Sequence, residues 1–458
     1  MVEVLPIETP PLGDRSYLVH DGEAALVIDP QRDIDRVIAL ATDAGVRVTH
    51  VAETHVHNDY VTGGLALARA AGAAYLVNAD DPVSFDRTPV SDGDLVEIGG
   101  MRLRALATPG HTYTHLAYVV EAGDAAAGGE IAGVFTGGSL LYGSTGRTDL
   151  LGPDTTAALT RAQWASARRL ARELPDAARI FPTHGFGSFC SATQSDAASS
   201  TIGHEKLVNP ALTLGEGPYL ESLLAGLDAW PAYYAHMAPA NRAGPAGPDL
   251  SPPRPADAAE LRRRIGAGEW VVDLRDRIAF AAGHVPGTFS FPLDNRFATY
   301  LGWMIPWGTP LTLLGDSPEQ VAQAQRELAR IGIDRPAAAA TGRPEAWAGE
   351  RSVASLRLVK FGDLAAAIGA GNEGPVVLDV RRRLEWEAGH IAGAVHIPLH
   401  ELPARVAELP PGEVWVHCES GYRSVLGASI LAARGRSVVS VNDDFASAAA
   451  AGLAVERA

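Results

Sequence analysis

The stretch THVHNDYVTGG places His55, His57 and Asp59 within five residues of one another. Two imidazoles and a carboxylate at this spacing are typical of a metal site. Two further histidines, His111 in TPGHTYTH and His184 in FPTHGFGS, each follow an apolar run that ends in a turn. The sequence therefore predicts a metal-binding site assembled from separate segments of the chain.

A second stretch with chemical potential is HCESGYRS, which contains Cys418 and, five residues later, Arg423. The thiol follows the apolar run EVWVHC and precedes a predicted helix, SVLGASILAARG. Backbone N–H groups, the positive end of a helix dipole and a guanidinium all favour the thiolate, which is the nucleophilic form. Cys418 is therefore predicted to be a reactive nucleophile and not a buried structural cysteine.

Both sets of residues are expected where strands end. RVTHVAETH is typical of a strand that runs into the histidine loop, followed by the helix GGLALARAAG and the strand AAYLV. Further strands are predicted in MRLRALATPGH, THLAYVV, IAGVFTGG and ARIFPTHG. Catalytic loops of α/β proteins commonly lie at such strand ends. The pattern predicts an α/β fold whose loops carry the site.

The C-terminal part of the chain contains an internal repeat. VVDLRDRIAFAAGHVPGTFSFPL (271–293) aligns without a gap to VLDVRRRLEWEAGHIAGAVHIPL (377–399). Each copy continues into another strand, LTLLGD or EVWVHC, and this order predicts a small parallel α/β domain in each copy. The first copy has Asp316 where the second has Cys418. Only one copy therefore carries a thiol.

The two repeats resemble the rhodanese family of sulfurtransferases, from the Asp-x-Arg strand through the GHIAGA turn to the cysteine loop. The resemblance implies that Cys418 carries a persulfide and that the loop amides stabilise its terminal sulfur. The Cys-x4-Arg spacing that ends at Arg423 favours sulfur, because the related tyrosine phosphatases use a loop one residue longer to bind phosphate. The first repeat then resembles a catalytically silent rhodanese domain used for packing or docking.

The histidine pattern resembles the metallo-β-lactamase fold, and within it the glyoxalase II and persulfide dioxygenase branch. The resemblance implies an αββα sandwich, in which His55 and His111 match the two histidine ligands of the dioxygenase iron. Two positions depart from the family pattern. Tyr60 replaces the last histidine of the loop His-x-His-x-Asp-His, and Gly138 replaces the iron-binding aspartate. We therefore expect one metal ion and not a dinuclear site.

Three alternatives would complete the metal site. In the first, His57 completes a three-histidine site, which suits zinc as well as iron. In the second, a water molecule or the substrate sulfur fills the position left by Gly138. In the third, Asp59 and His184, which match remnants of the second metal position, bind the metal from the other side. One Fe(II) ion is expected, with zinc as the alternative.

Two more residues near these loops are assigned from their surroundings. GRTDL matches the dioxygenase branch, and the resemblance makes Arg147 an anchor for the carboxylate of a thiol cosubstrate such as glutathione, through a bidentate contact. A solvated or helix-capping arginine is the alternative. Cys190, in FGSFC, is predicted to be a small packed residue without a catalytic role.

The chain has 458 residues, which exceeds what a single hydrophobic core organises. Two stretches rich in Pro, Gly and Ala, 238–257 and 337–352, are typical of linkers. The predicted domains are a metallo-β-lactamase-like domain, a rhodanese-like domain without the nucleophilic cysteine and a rhodanese domain with it, at 1–240, 255–340 and 353–458.

Composition limits the partners. The formal net charge of −16 argues against nucleic acid and anionic membranes, and no apolar stretch approaches the length of a membrane span. With only two cysteines, a structural disulfide is not expected, so a reducing cytoplasm is predicted. The expected partners are small molecules, namely a thiol persulfide, thiosulfate or sulfite; a homodimer is a further option.

A metallo-β-lactamase domain joined to two rhodanese repeats resembles bacterial persulfide dioxygenase–rhodanese fusions over nearly the whole chain. The leading hypothesis is metal-dependent oxidation of a low-molecular-weight thiol persulfide to sulfite, coupled to sulfur transfer through a Cys418 persulfide. One alternative is a zinc-dependent thioester hydrolase of the glyoxalase II type. The other is an altered metallo-β-lactamase domain that serves as a docking module for the sulfurtransferase.

Overall fold

The computed structural model describes residues 2–123, 129–192, 197–370 and 374–457. The chain divides into two compact units, one made of residues 1–249 with 328–332 and the other of residues 250–327 with 333–458. Among the described residues, no helix combines the length and the apolar character that crossing a membrane requires.

Two six-stranded sheets form the first unit. The first sheet follows chain order: β1 (Glu3–Thr9), β2 (Asp14–His20), β3 (Ala24–Ile28), β4 (Arg47–Ala52), β5 (Ala74–Asn78) and β6 (Thr88–Val90). The second sheet runs from edge to edge in reverse order: β12 (Ser200–Thr201), β11 (Arg179–Pro182), β10 (Glu130–Gly137), β9 (Leu116–Ala122), β8 (Met101–Ala107) and β7 (Leu95–Ile98). Strands β3 to β6 pair in parallel, as do β10 and β11.

The two sheets face each other across an apolar core. In β8, Met101, Leu103 and Ala105 point into this core, while Arg102 and Arg104 alternate with them and are only partly buried. This period of two is the expected pattern of a half-buried strand. Separate clusters of buried residues pack helices on the outer faces of both sheets. The predicted αββα sandwich is therefore confirmed.

The helices of the first unit pack mainly through apolar residues at helical spacing. α1 and α2 contribute to the cluster on the first sheet, and the next four helices contribute to the cluster on the second. Within the described residues, the seven helices of the first unit are α1 (Asp35–Asp43), α2 (Gly64–Ala71), α3 (Pro153–Glu173), α4 (Ile202–Val208), α5 (Pro210–Thr213), α6 (Glu216–Gly226) and α7 (Tyr234–Ala243).

The second unit contains two parallel sheets, one for each repeat. The first has the order β14 (Phe289–Ser290), β13 (Trp270–Asp273), β15 (Leu311–Gly315), β16 (Ala338–Thr341). The second has the order β17 (Arg357–Val359), β22 (Val438–Val441), β21 (Val414–His417), β18 (Val376–Asp379), β20 (Val395–His396). A small antiparallel pair consists of β19 (His390–Ile391) and β23 (Val455–Glu456).

Short helices connect these strands, in the alternating order that the repeat predicts. They are α8 (Ala258–Gly266), α9 (Arg277–Ala282), α10 (Phe297–Met304), α11 (Pro318–Arg330), α12 (Pro344–Ala348), α13 (Phe361–Gly369), α14 (Arg383–Ala388), α15 (Leu402–Arg405) and α16 (Tyr422–Ala433), with 3-10 turns at Val406–Glu408 and Phe445–Ser447.

The two repeats share an internal hydrogen-bond pattern. In each copy the arginine of the Asp-x-Arg turn bonds the aspartate two residues earlier and the carbonyl of the glycine eight residues later. Arg275 Nη2 donates across 2.6 and 2.8 Å, and Arg381 Nη2 across 2.7 and 2.6 Å. The matching geometry explains why these positions are identical in the two copies. That residues 255–340 form a rhodanese-like domain stays a prediction.

The expected linker at 337–352 is wrong. Strand β16 and helix α12 occupy most of this segment. The alanines of β16 are small enough to lie buried at the edge of the first parallel sheet. Pro344 starts α12, where proline is favoured, and Trp347 contributes to the core of the repeat. Composition alone does not distinguish an alanine-rich edge strand from a linker.

Candidate functional site

Five histidine side chains meet in the interior of the first unit. His55 and His57 follow β4, His111 follows β8, His115 precedes β9, and His184 follows β11. Each of the five residues has an exposed fraction of 1 % or less. Because they come from strand ends of both sheets, the site lies where the two sheets open toward their loops.

Three of these rings lie at nearly equal distances from one another. The ring centres of His55, His111 and His184 are separated by 4.9, 5.2 and 5.3 Å. An ion held tetrahedrally by imidazole nitrogens at about 2.0–2.1 Å sets ring centres about 5.2 Å apart and the bound nitrogens about 3.3 Å apart. The Nε2 atoms of His55 and His184 lie 3.4 Å from each other. Donor atoms of two overlapping trios, His55 with His57 and His184, and His111 with His184 and Cys190, lie within 4.8 Å of one another, so the residues present fit a metal ion.

The hydrogen bond of His55 Nδ1 leaves its Nε2 facing His184 Nε2, 3.4 Å away. Thr54 Oγ1 donates to Asp29 Oδ2, so it accepts from the Nδ1–H of His55 at 2.9 Å. Burial and the neighbouring histidines, His57 first among them, hold the pKa of His55 well below its usual range. His55 is therefore neutral, which is the form that binds a metal.

His111 is oriented in the same way. Its Nδ1–H donates to the carbonyl oxygen of Arg147 at 2.7 Å. Within the described part of the chain, no hydrogen-bond partner reaches its Nε2 atom, although the residue is fully buried. Burial and the charge of His184 lower the pKa of His111 to about 3. An unpartnered buried nitrogen of this kind fits a metal ligand.

His184 is held by two buried carboxylates. Its Nδ1 lies 2.9 Å from Asp14 Oδ1 and 3.2 Å from Asp59 Oδ2. Although burial lowers the pKa of His184, Asp59 and Asp14 together raise it to about 10. Burial and the charge of Asp59 raise the pKa of Asp14 to about 7. A metal at His184 Nε2 thus displaces a proton, while the carboxylates fix the ring.

His57 faces away from these three rings through its Nε2 atom. That atom lies 3.0 Å from the Tyr60 hydroxyl, 3.2 Å from Glu53 and 3.3 Å from Asp29. Burial lowers the pKa of His57, but the charges of Asp29 and Glu53 outweigh it and raise the pKa to about 9. Its Nδ1 atom has no hydrogen-bond partner among the described residues. One donor atom from each of His55, His57 and His184 lies within 4.8 Å of the other two.

Gly138 lies directly under the His111 ring. A Cβ atom on Gly138 would stand 2.4 Å from His111 Cδ2, far closer than atoms approach. The Gly138 N–H donates to His115 Nε2 at 2.9 Å, and His115 Nδ1 bonds Thr108 Oγ1 at 2.8 Å. Both ring nitrogens of His115 are therefore used inside the protein. Glycine at this position allows His111 to occupy the space of a carboxylate side chain.

The other family departure, Tyr60, is fully buried and supports His57. Its ring stacks on that of His57 at 4.3 Å between centres, and its hydroxyl donates to the Asp29 carbonyl at 3.2 Å. Asp29 has a φ of 52°, a strained backbone conformation for a residue other than glycine. Its carboxylate also accepts from the Thr54 N–H at 2.7 Å and from the Thr183 hydroxyl.

Sequence reasoning missed several of these residues. Asp14 and Asp29 contact His184 and His57 from other segments of the chain. Glu53 contacts His57 from four residues before it, and His115 belongs to the same stretch as His111, TPGHTYTH. Cys190, predicted to be a small packed residue, is fully buried as expected. Its sulfur, however, lies within 4.8 Å of the donor atoms of His111 and His184.

Arg147, expected to bind the carboxylate of a thiol cosubstrate, is engaged by other groups of the protein. Its guanidinium pairs with Asp149 at 2.7 and 2.8 Å and also donates to the carbonyls of Phe189 and Asp228. These contacts leave it inside the unit, with a side chain only 4 % exposed. Arg147 therefore holds loops in place, and binding a cosubstrate carboxylate there would require these contacts to break.

The second predicted centre, the Cys418 loop, lies between β21 and α16. The Gly421 N–H donates to Cys418 Sγ at 3.2 Å, and Gly421 has a φ of 91°, which favours glycine. The Arg423 guanidinium donates two hydrogen bonds to the Glu385 carboxylate, at 2.6 and 2.5 Å. Although burial raises the pKa of Glu385, Arg423 outweighs it and lowers that pKa to about 2. Arg423 is thus placed by an ion pair beside the thiol loop.

The corresponding loop of the first repeat closes on itself. The Asp316 N–H donates to Gln320 Oε1 at 2.7 Å, and Gln320 Nε2 donates to the Leu274 carbonyl at 3.2 Å. The side chain of Gln320, in the first turn of α11, therefore occupies the Asp316 amide. That the first repeat is catalytically silent stays a prediction.

The first repeat also packs against the second. The Ser290 N–H donates to Ser429 Oγ on α16, and Arg277 Nε donates to Asn442 Oδ1, both at 3.1 Å. Asn442 borders the thiol loop, because a Cβ atom on Gly421 would meet its side chain at 2.1 Å. The first copy thus supports the segment that borders the loop around Cys418.

Family comparisons agree with both parts of the fold. Residues 10–184 match the metallo-beta-lactamase superfamily, and residues 361–451 match the rhodanese-like domain family. A hydroxyacylglutathione hydrolase of Maricaulis maris is 31% identical over 192 residues, or 41% of this chain and 68% of that protein. The chain therefore belongs to the metallo-β-lactamase superfamily, and it carries a rhodanese-like domain in its C-terminal part.

One further curated protein and one solved structure are also similar to this chain. The mitochondrial persulfide dioxygenase of Homo sapiens is 29% identical over 203 residues, which cover 43% of this chain and 71% of that protein. A solved structure named metallo-beta-lactamase, from Staphylococcus aureus subsp. aureus COL, is 28% identical with a TM-score of 0.66. It covers 75% of this chain and 99% of that one, so the structural likeness extends beyond residues 10–184.

Proposed function

We propose that this protein oxidises the persulfide of a low-molecular-weight thiol to sulfite at one metal centre and moves sulfane sulfur through Cys418. The observation that carries the proposal is the buried cluster around His184, in which donor atoms of His55 and His57, and those of His111 and Cys190, lie within 4.8 Å of one another and of His184. The similarity of this region to a persulfide dioxygenase supports the choice of substrate.

Iron is the metal of this proposal, because reaction with O₂ requires a redox-active ion. A ferrous ion with few protein ligands supplies open positions at which oxygen and persulfide are activated. The overall reaction converts one persulfide, one O₂ and one water into the thiol, sulfite and two protons. Four electrons pass from the outer sulfur to oxygen, so no other reductant is needed.

The protein side chains hold and orient this centre. His55, His111 and His184 each bond a protein group through Nδ1, so Nε2 is the atom that each would offer to an ion. Asp14 and Asp59 keep the His184 ring in place from behind. The complete burial of these groups excludes bulk water and strengthens every electrostatic contact within the site.

Sulfur transfer is proposed for the second unit. The Cys418 thiolate attacks the outer sulfur of thiosulfate, the bond between the two sulfurs of thiosulfate breaks, and sulfite leaves with the bonding electrons. The Gly421 N–H, which donates to Sγ in the structure, supports the negative charge on sulfur. A thiolate then takes the outer sulfur of the Cys418 persulfide and regenerates the Cys418 thiolate.

A matched pair of variants tests this half of the proposal. Cys418→Ser should abolish thiosulfate-dependent formation of thiol persulfide, while Asp316→Ser, at the same position of the first repeat, should retain it. Retained transfer in Cys418→Ser would remove Cys418 as the sulfur carrier.

Both cysteines are free thiols in the structure, which suits the reducing cytoplasm that we propose as the compartment.

One observation favours a second function. A centre of three imidazoles without a carboxylate also suits zinc, which lowers the pKa of bound water for hydrolysis. The relative from Maricaulis maris is a hydroxyacylglutathione hydrolase. The second candidate is therefore a zinc-dependent thioester hydrolase of the first unit.

Metal loading distinguishes the two functions. Metal-free protein is loaded with either ferrous iron or zinc, and two rates are measured: oxygen uptake with glutathione persulfide and hydrolysis of lactoylglutathione. The proposal predicts oxygen uptake from the iron form only and little thioester hydrolysis from either form. Rapid hydrolysis by the zinc form, without oxygen uptake by the iron form, would favour the hydrolase.

A further inference from the structure

The metal centre lacks the ligand that a carboxylate at position 138 would provide. Gly138 has no side chain, and the His111 ring fills the adjoining space so closely that a Cβ atom would stand 2.4 Å from it. A carboxylate cannot enter from this position unless His111 moves. Any further ligand must come from another part of the cluster.

Cys190 is one group placed to do so, on the side of His111. Its sulfur and the donor atoms of His111 and His184 all lie within 4.8 Å of one another, and Cys190 is fully buried. Sulfur and nitrogen bound to one ion at about 2.3 and 2.0–2.1 Å lie about 3.5 Å apart in a tetrahedral arrangement. Small side-chain movements therefore bring the three donors to a common ion.

One feature points to a ligand at this place: His111 Nε2 is buried without a hydrogen-bond partner among the described residues. The main chain of Arg147 holds the two segments together, because its carbonyl accepts from His111 Nδ1 at 2.7 Å and its N–H donates to the Cys190 carbonyl at 2.8 Å. The Cys190 N–H is fixed as well, because it donates to Ser188 Oγ at 3.1 Å.

We propose that the Cys190 thiolate is a metal ligand and takes the coordination role that Gly138 gives up. On binding, the sulfur loses its proton to solvent and forms a bond to the ion, with no change of oxidation state. The inference rests on the proposed function only in that a metal is bound between His111 and His184. Whether that metal then reacts with oxygen is a separate question.

Cobalt(II) substitution tests the inference by spectroscopy, independently of activity. A thiolate bound to cobalt gives an intense charge-transfer absorption in the near ultraviolet, which imidazole and carboxylate ligands do not give. The full-length Cys418→Ser variant is loaded with cobalt, so that Cys190 is the only thiol present. The same experiment on the Cys190→Ser/Cys418→Ser double variant is the matched control.

We expect the absorption in Cys418→Ser at one ion per chain and its loss in the double variant. The affinity for cobalt should also fall at least tenfold in the double variant, since even outer-shell changes cost roughly 10–100-fold. A cobalt-loaded Cys418→Ser protein without the absorption overturns the inference, whether or not the double variant folds. Persistence of the absorption in the double variant overturns it too. Oxygen uptake by the iron form, measured separately, bears on the proposed function alone.

Discussion

The Nε2 atoms of His55 and His184 lie 3.4 Å apart, although the two residues are 129 positions apart in the chain. Both rings bond protein groups through Nδ1, so their remaining nitrogens converge on one point. We predict that His55→Ala and His184→Ala each lose most of the bound metal, measured by elemental analysis after desalting. His204→Ala, which alters an exposed histidine, should bind a full complement. Full metal content in either of the first two variants would refute this ligand pair.

Restoring the family aspartate should weaken the site. In Gly138→Asp the new Cβ atom would collide with the His111 ring, so we expect His111 to be displaced and the metal content to fall severalfold. The matched control is Gly217→Asp, because Gly217 is exposed and has no atom within 4 Å of a built Cβ. Metal analysis and thermal unfolding of both variants test the expectation. A Gly138→Asp protein that binds metal more tightly would show that the site adapts.

Asn241, on α7, fixes the histidine loop from the outside. Its Nδ2 donates to the carbonyls of His57 and Tyr60 at 2.9 and 2.8 Å, and its Oδ1 accepts from the Thr62 N–H at 2.9 Å. Since Asn241→Ala leaves these buried groups unpaired, we expect a loss of about 1–3 kcal/mol in the free energy of unfolding. Metal affinity should fall roughly 10–100-fold, because the loop is no longer positioned. Asn295→Ala, at an exposed position, is the control.

In Asn241→Ala, the free energy of unfolding and the metal affinity should both fall. Urea unfolding of the metal-free protein reports the stability, and metal titration reports the affinity. Lower stability with unchanged metal affinity would mean that Asn241 supports the fold without positioning the ligands.

The ion pair of Glu385 with Arg423 predicts a pH dependence of stability. Although burial raises the pKa of Glu385, Arg423 lowers it to about 2 from the usual 4.5. The stabilisation is therefore complete above about pH 4.5 and is lost as the pH falls toward 2. We expect Glu385→Gln to be less stable than the wild type near neutral pH, with the difference shrinking over this interval.

Urea unfolding at a series of pH values measures this difference. Glu387→Gln is the matched control, because Glu387 forms an exposed i,i+4 pair with Arg383, and such pairs contribute little. A difference between wild type and Glu385→Gln that does not change with pH would contradict the assigned role of the ion pair.

Much of the fold could be predicted from sequence because its signals are local. The strands β4, β8, β10 and β11 and the helix α16 follow from apolar periodicity and turn residues. The thiol loop was recognisable because Cys418 and Arg423 stand five residues apart in one segment. His55, His57, His111 and His184 were found because each lies at the end of such a strand.

The contacts between segments could not be predicted in this way. Asp14 binds His184 from 170 positions away, and nothing in its own neighbourhood indicates that role. Gly138 signals only the loss of a ligand; that the His111 ring fills the space depends on packing. Likewise, the approach of Cys190 to two histidines follows from the way in which its loop is anchored to Arg147.

Oxidation of persulfide by oxygen at the histidine cluster predicts a fixed stoichiometry between oxygen and sulfite. Iron-loaded Cys418→Ser protein is given glutathione persulfide, and both oxygen consumed and sulfite formed are measured, with His111→Ala as the control. We predict one sulfite per O₂ in Cys418→Ser and loss of both signals in His111→Ala. The absence of oxygen uptake from protein that demonstrably holds iron, or equal uptake in His111→Ala, would contradict the account.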